Sequence, residues 1–241
     1  MSTLYIVATP IGNLHDMTYR AVETLKAAGI IACEDTRTTR KLLDAYSITG
    51  KRLISCSAIN EENSKNGISK LLDEGNDVAL VTDAGTPCIS DPGARVVDKI
   101  QKTKHKIVPI PGANAAVCAM SIAGNAGKSW LFEGFLPKSD GKMKRRLSEL
   151  LKLETAFVLY ESPFRIVRLL QAIGEIEPQR RIMIARELTK IHEETIIGTA
   201  GKIAEELSKR QAIKGEFCVV AYCKSDNKSD IDRTGANTEK E

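Results

Sequence analysis

Apolar residues in the first half of the chain fall into short runs separated by longer stretches of helical periodicity. Leu4–Ala8, Ile30–Cys33, Arg52–Ser57, Val78–Thr82 and Ile107–Ile110 read as strands. Most are apolar at nearly every position, the pattern of strands covered on both faces. Between them, Thr18–Ala28, Thr36–Tyr46, Glu61–Glu74 and Gly93–Lys102 carry the period of amphipathic helices. Thr36 stands where a helix cap is needed, Gly75-Asn76 is a stop signal, and Asp91-Pro92 stands where the last of these helices would start. Strands alternating with helices predict an α/β domain with an open parallel sheet and helices on both faces.

After Pro109-Ile110-Pro111-Gly112 the pattern changes. A helix over Asn114–Ala123 is followed by strand patterns at Trp130–Glu133, Thr155–Tyr160, Arg181–Arg186, Thr195–Ile197 and Glu216–Tyr222. Helices are expected near Lys142–Leu153, Phe164–Ile173 and Lys202–Arg210, and the strands around 182–187 and 194–197 are expected to pair antiparallel. The division this predicts is an N-terminal α/β domain over 1–113 and a C-terminal mixed α+β domain over 114–223. The polar residues 224–241 are expected to form a disordered tail.

Composition narrows the function classes. Apolar residues make up 42% and charged residues 27% of 241 residues, ordinary for a soluble protein. No run approaches the ~18 apolar residues of a membrane span, and the N-terminus reads as a strand rather than a signal peptide. A cytoplasmic protein is expected. Six cysteines without a CxxC pair, beside only three histidines, point to buried free thiols and to no metal site. Net charge is +1 over 1–116, +4 over 117–223 and −1 over 224–241. A mildly basic second half permits a polyanionic partner but does not demand one, and on charge alone solvated helix faces are the better account. Ala126-Gly127-Lys128-Ser129 imitates the end of a phosphate-binding loop, but Ile122 stands where the motif needs glycine. No GxGxxG follows the first strand.

What remains is a set of loops at strand ends: Thr9-Pro10-Ile11-Gly12-Asn13, Glu34-Asp35-Thr36-Arg37, Asp83-Ala84-Gly85-Thr86-Pro87 and Pro111-Gly112-Ala113-Asn114. In an open parallel sheet such loops share one edge, where ligands bind. They offer backbone groups, a hydroxyl and few charges besides Asp83, which suits a hydrogen-bonding ligand without a triphosphate.

The stretches LYIVATPIGNLHDMTYRA, EDTRTT, VALVTDAGTPCISDPG, PIPGANA, FEGFLP, YESPFR, ARELTKIHEE and KGEFCVV together resemble the ribosomal RNA small subunit methyltransferase I family, within the tetrapyrrole methylase superfamily. The resemblance runs from residue 4 to about 220. It implies S-adenosylmethionine as cofactor, transfer of a methyl group to the ribose 2′-oxygen of a cytidine in the decoding centre of 16S ribosomal RNA, and a homodimer. It implies cofactor contacts at Pro10, Asp83, Thr86, Ile89, Ala113, Asn114, Tyr160 and Leu188. The chain departs from the family pattern in three places. It has SCSAINEE where a His-rich stretch is common, PGANA where PGPSA is common, and a polar tail where some members continue.

A ribose hydroxyl is a poor nucleophile until its proton leaves, so a base is sought among carboxylates at strand ends: Glu161 first, then Glu34, Asp35 and Glu187. The alternative role of Glu161 is a cap or a salt bridge with Arg165, four residues on. The RNA would be held by Arg37, Arg40, Lys144, Arg145, Arg146, Arg165, Arg186 and Lys190, with the 142–146 run acting as a phosphate-gripping arm. Phe132, Phe135 and Phe164 are candidates for stacking on a splayed base, with a core role the alternative for Phe132. Two other readings are a small-molecule methylase, such as a tetrapyrrole methylase, and a non-catalytic RNA-binding protein that keeps the pocket.

Overall fold

A computed structural model of the chain describes residues 1–224; residues 225–241, the bulk of the expected tail, lie outside the described residues. The chain divides after Asn114 into two units, each built on its own five-stranded sheet.

In the first unit β1 (Thr3–Val7), β2 (Ile30–Cys33), β3 (Arg52–Ser55), β4 (Val78–Leu80) and β5 (Lys106–Ile110) are all parallel, in the order β3-β2-β4-β1-β5. Alternate residues of each strand feed two cores. Val7, Ile31, Cys33, Ala79 and Val81 meet Ala21 and Leu25 of α1 (Tyr19–Ala27) and Leu43 of α2 (Thr36–Ala45). Leu4, Ile30, Ala32, Val78 and Leu80 meet Ile68 and Leu72 of α3 (Glu61–Asp73) and Val96 and Ile100 of α4 (Ala94–Ile100). Two helices per face explain why the strands lack polar alternation. The chain leaves β2 toward β3 and leaves β4 toward β5, in opposite directions along the sheet. The crevice of a doubly wound sheet opens at such a divergence.

Two helix starts differ from expectation. The cap of α2 is Asp35 rather than Thr36: its carboxylate accepts from the Arg37 N–H at 2.8 Å. Helix α4 begins at Ala94, and its first amides are satisfied from another element: Glu61 Oε1 accepts from the backbone N–H groups of Gly93 and Arg95, each at 2.9 Å. Gly93 holds φ at +130°, and a Cβ there would lie 2.8 Å from Leu80 Cδ2 and 2.9 Å from Cys88 Sγ. Gly93→Ala is therefore expected to cost at least ~1–3 kcal/mol through backbone strain alone, read as a lowered midpoint in urea unfolding.

In the second unit the order is β6-β7-β10-β8-β9, with β6 (Trp130–Phe135) parallel to β7 (Ala156–Glu161). Strand β10 (Phe217–Ala221) lies antiparallel between β7 and β8 (Arg181–Arg186), and β8 pairs antiparallel with β9 (Glu194–Thr199), as expected. The mixed α+β reading therefore holds. One face carries α6 (Asp140–Leu151), α7 (Ile166–Ile176) and α8 (Ala200–Ser208) over Phe157, Leu159, Ile182, Ile184, Phe217 and Val219. The other carries α5 (Ala115–Ile122), whose Ala116 and Ala119 pack with the cluster of Val158, Met183, Cys218 and Val220. The run Lys142–Arg146 lies in the first part of α6, with Met143 buried beneath it, as the expected helix near Lys142–Leu153 implies.

The Gly-Lys-Ser segment also has a packing role. A Cβ at Gly127 would lie 2.9 Å from Cys223 Cβ, and the Cys223 N–H donates to the Ala126 carbonyl at 2.8 Å. The glycine lets β10's end approach, not a phosphate. All six cysteines are free. Burial pushes Cys56 and Cys88 up to about 11 and Cys218 up to about 12, which keeps them as unreactive thiols.

Candidate active site

The loop after β1 and the loop after β4 are joined by their main chains. Thr9 N–H donates to the Gly85 carbonyl at 2.8 Å, and Gly85 N–H returns a bond to the Thr9 carbonyl at 3.1 Å. The buried Thr9 hydroxyl adds a bond to the Thr82 carbonyl at 3.2 Å. Thr86 Oγ1 donates to the Ala113 carbonyl at 3.0 Å, which ties in the loop after β5. Asp35 N–H donates to Asp83 Oδ1 at 3.1 Å, which ties in the loop after β2. All four loops are thus stitched along one edge of the first sheet.

Within the β4 loop, Cys88 and Ser90 hold φ at +71° and +64°. Positive φ at non-glycine residues is strained and clusters at functional loops. Pro10 and Ile11 are buried beneath the first loop, while Ile89 is exposed.

The carboxylates of this edge are tuned in opposite directions. Arg37 binds Asp35 with Nη2 at 2.6 Å from Oδ2 and Nε at 3.1 Å from Oδ1. That pairing lowers Asp35 to about 2, so it is ionised and occupied. Glu34 is half-buried and pushed above the ordinary glutamate range, first by desolvation and then by Asp83. Asp83 is raised as well, chiefly by desolvation. Glu34 and Asp83 are therefore the carboxylates here that are not neutralised by a cation.

S-adenosylmethionine is cationic at sulfur and carries an ammonium group. This edge fits it: two carboxylates without a paired cation, an exposed isoleucine side chain to lie against a base, and Arg37 already neutralised. A triphosphate would be repelled by the same groups.

The remaining expected residues lie in the second unit. Tyr160 Oη accepts from Ala116 N–H at 3.0 Å, at the start of α5. Its ring meets Phe132 and Phe135 edge-on, at 5.0 and 5.7 Å between centroids. Leu188 packs half-buried against the same α5 cluster. Glu161 is buried, its Oε1 accepting from Ser162 N–H at 2.8 Å and its Oε2 lying 3.3 Å from Arg165 Nη2. Glu187, at φ +51°, accepts through Oε1 from Lys190 Nζ at 2.8 Å and from Glu216 N–H at 3.0 Å. Lys190 holds Glu187 below the usual range. Both carboxylates are engaged in fastening loops.

Six of the eight cations expected to meet RNA are also engaged. Arg37 is paired with Asp35, Lys144 with Glu175, Arg146 with Glu133 and Glu149, Arg186 with Glu194, and Lys190 with Glu187 and Glu216. Arg165 donates to the Leu136 and Pro137 carbonyls at 3.2 and 3.0 Å in addition to pairing with Glu161. Arg40 and Arg145 are exposed and form no ion pair among the described residues. Sequence reasoning missed the structural parts of Thr9 and Glu61, which act through partners dozens of residues away and leave no local signal.

The family model for Tetrapyrrole (Corrin/Porphyrin) Methylases matches residues 3–204. A ribosomal RNA small subunit methyltransferase I from Neisseria meningitidis is 42% identical over 227 residues, covering 94% of this chain and 78% of its own. The protein of that name from Borrelia garinii is 44% identical, over 90% of this chain and 97% of its own. The chain belongs to the ribosomal RNA small subunit methyltransferase I family, within the tetrapyrrole methylases. Among solved structures, the methyltransferase CobJ shares the fold at TM-score 0.70 and 18% identity, with 93% of this chain and 95% of that one covered. A uroporphyrin-III C-methyl transferase from Thermus thermophilus, complexed with S-adenyl homocysteine, superposes at TM-score 0.64 and 12% identity, covering 91% and 97%. Among the described residues, no helix is long and apolar enough to cross a membrane. The family members' shared name directs attention to RNA, whereas the fold alone also serves small-molecule methylases.

Proposed function

We propose that the protein uses S-adenosylmethionine to methylate the 2′-oxygen of a cytidine in the decoding centre of 16S ribosomal RNA, acting in the cytoplasm as a homodimer on the RNA or the small subunit. The observation that carries the cofactor half of this reading is the stitched edge of the first sheet, with two carboxylates left unpaired by cations. The relatives' shared name supports the RNA half.

The cofactor supplies a methyl group already activated on a sulfonium. The protein's task is therefore position, which supplies up to ~7–11 kcal/mol of barrier reduction. Pro10, Asp83, Thr86, Ile89, Ala113 and Asn114 would hold the cofactor along this edge; Tyr160 and Leu188 are the further contacts that the family resemblance implies. Bonds between main chains keep the loops from having to order on binding.

The hydroxyl proton needs an acceptor. Among the four carboxylates, Glu161 and Glu187 fasten loops and Asp35 is held by Arg37. Glu34 is the one that is both partly accessible and raised above the ordinary glutamate range, and we assign it the general base. Arg40 and Arg145 would contact phosphate.

The test is incubation with methyl-labelled S-adenosylmethionine and small ribosomal subunits lacking the modification. Alkali-resistant label at one ribose is the expected result. Label on a porphyrin precursor and none on RNA would replace the reading with a tetrapyrrole methylase. Cofactor binding with no transfer to either would leave a non-catalytic RNA-binding protein.

A further inference from the structure

We propose that Phe164, on the loop after β7 and presented with Phe135 at the end of the neighbouring strand β6, stacks on an unpaired base of the RNA substrate and so positions the target nucleotide. The inference rests on the RNA reading above and adds to it the group that would recognise the base.

Phe164 is 94% exposed and Phe135 58% exposed. Single exposed apolar side chains are common; what sets these two rings apart is how they are held. The loop between β7 and α7 is also not loose. The Ser162 carbonyl accepts from the N–H groups of Arg165 and Ile166, each at 3.1 Å, closing a tight turn. Glu161, buried at the end of β7, holds Ser162 N–H and pairs with Arg165. Arg165 in turn grips the carbonyls of Leu136 and Pro137, just after Phe135. The Glu161–Arg165 pair therefore fixes the loop that carries Phe164 and the segment that follows Phe135. The Phe135 ring also meets Tyr160 edge-on at 5.7 Å between centroids. Glu161 is on this argument a positioning residue.

The surroundings choose the occupant. A protein partner would find an apolar collar around the ring. Instead Arg168 donates to the Lys138 carbonyl at 3.2 Å and contacts Asp140, and Lys138, between β6 and α6, and Lys142, in the first turn of α6, are exposed. Exposed lysines on the segment that follows Phe135 suit the phosphates flanking a stacked base.

The test compares the full-length protein with Phe164→Ala, Phe164→Leu and Phe164→Tyr on small ribosomal subunits. Ala and Leu are expected to lower kcat/KM for RNA by roughly 5- to 150-fold, the range that ~1–3 kcal/mol of base stacking gives at 1.4 kcal/mol per tenfold. Tyr should stay within about threefold of wild type, because the π-face is kept. Heat of S-adenosylmethionine binding and melting temperature should not change in any variant. The inference falls if Ala leaves kcat/KM for RNA intact. It falls equally if Leu matches wild type, or if Ala shifts the sedimentation mass while RNA kinetics are kept, which would mark a contact between copies. Wild-type protein that methylates no RNA removes the parent reading as well; active wild type with an unimpaired Ala variant removes this one alone.

Discussion

Replacing Glu34 with Gln lowers kcat/KM for RNA methylation by ~10²–10⁴-fold, the usual contribution of a positioned base, and removes the acidic limb of the pH profile. Only the ionised carboxylate takes a proton. Desolvation and the neighbouring Asp83 raise Glu34 above the ordinary glutamate range, so wild-type activity should climb with pH through that displaced value and then level. Stability runs the other way. A raised carboxylate binds more protons in the folded than in the unfolded state between its ordinary and displaced values. Folding stability therefore declines as pH rises through that window, and Glu34→Gln abolishes the decline. An inactive variant at least as stable as wild type at neutral pH, by rate assay and urea melts side by side, is the expected pair. A variant of full activity would return the search for the base to Glu161, Asp35 and Glu187.

Glu177→Ala should destabilise the second unit by about 3–5 kcal/mol, because it leaves a buried charge without a counter-ion. Arg180 has no exposed surface. Its Nε lies 3.6 Å from Glu177 Oε2, its Nη2 donates to the Leu151 carbonyl at 3.4 Å, and its guanidinium sits 5.9 Å from the Phe157 ring centre. Nε and Nη1 have no hydrogen-bond partner among the described residues, and burial depresses the arginine's pKa. Arg180→Met removes the charge and keeps the volume. It should be neutral or stabilising, and the double variant should melt near the Arg180→Met protein rather than near Glu177→Ala. Equal losses from both single changes in thermal melts would show that the pair is worth its desolvation.

Both cases turn on contacts that sequence does not announce. The strand and helix alternation was legible because strands buried on two faces, such as Ile30–Cys33 and Val78–Leu80, are unbroken apolar runs. Strand order was not: nothing local states that β4 enters between β2 and β1. Helix starts were legible to within a residue or two, but the capping of α4 by Glu61 comes from another helix. The four loops were legible as a group through their Gly, Pro and Asp content. Which carboxylate stays available was not, since Glu161, Glu187 and Asp35 look as available as Glu34 until Arg165, Lys190 and Arg37 are placed beside them. The same holds for Lys144, Arg146 and Arg186, whose acidic partners are 3 to 31 residues away.

The reciprocal pair of backbone hydrogen bonds between Thr9 and Gly85 carries a consequence for descent. A clamp written in peptide groups is indifferent to most side chains around it. Neighbouring positions can drift, and the catalyst can be retrained on a new acceptor, without the berth we propose for the donor being rebuilt. That indifference offers a physical reason why one scaffold serves enzymes sharing as little as 12% of their residues with this chain.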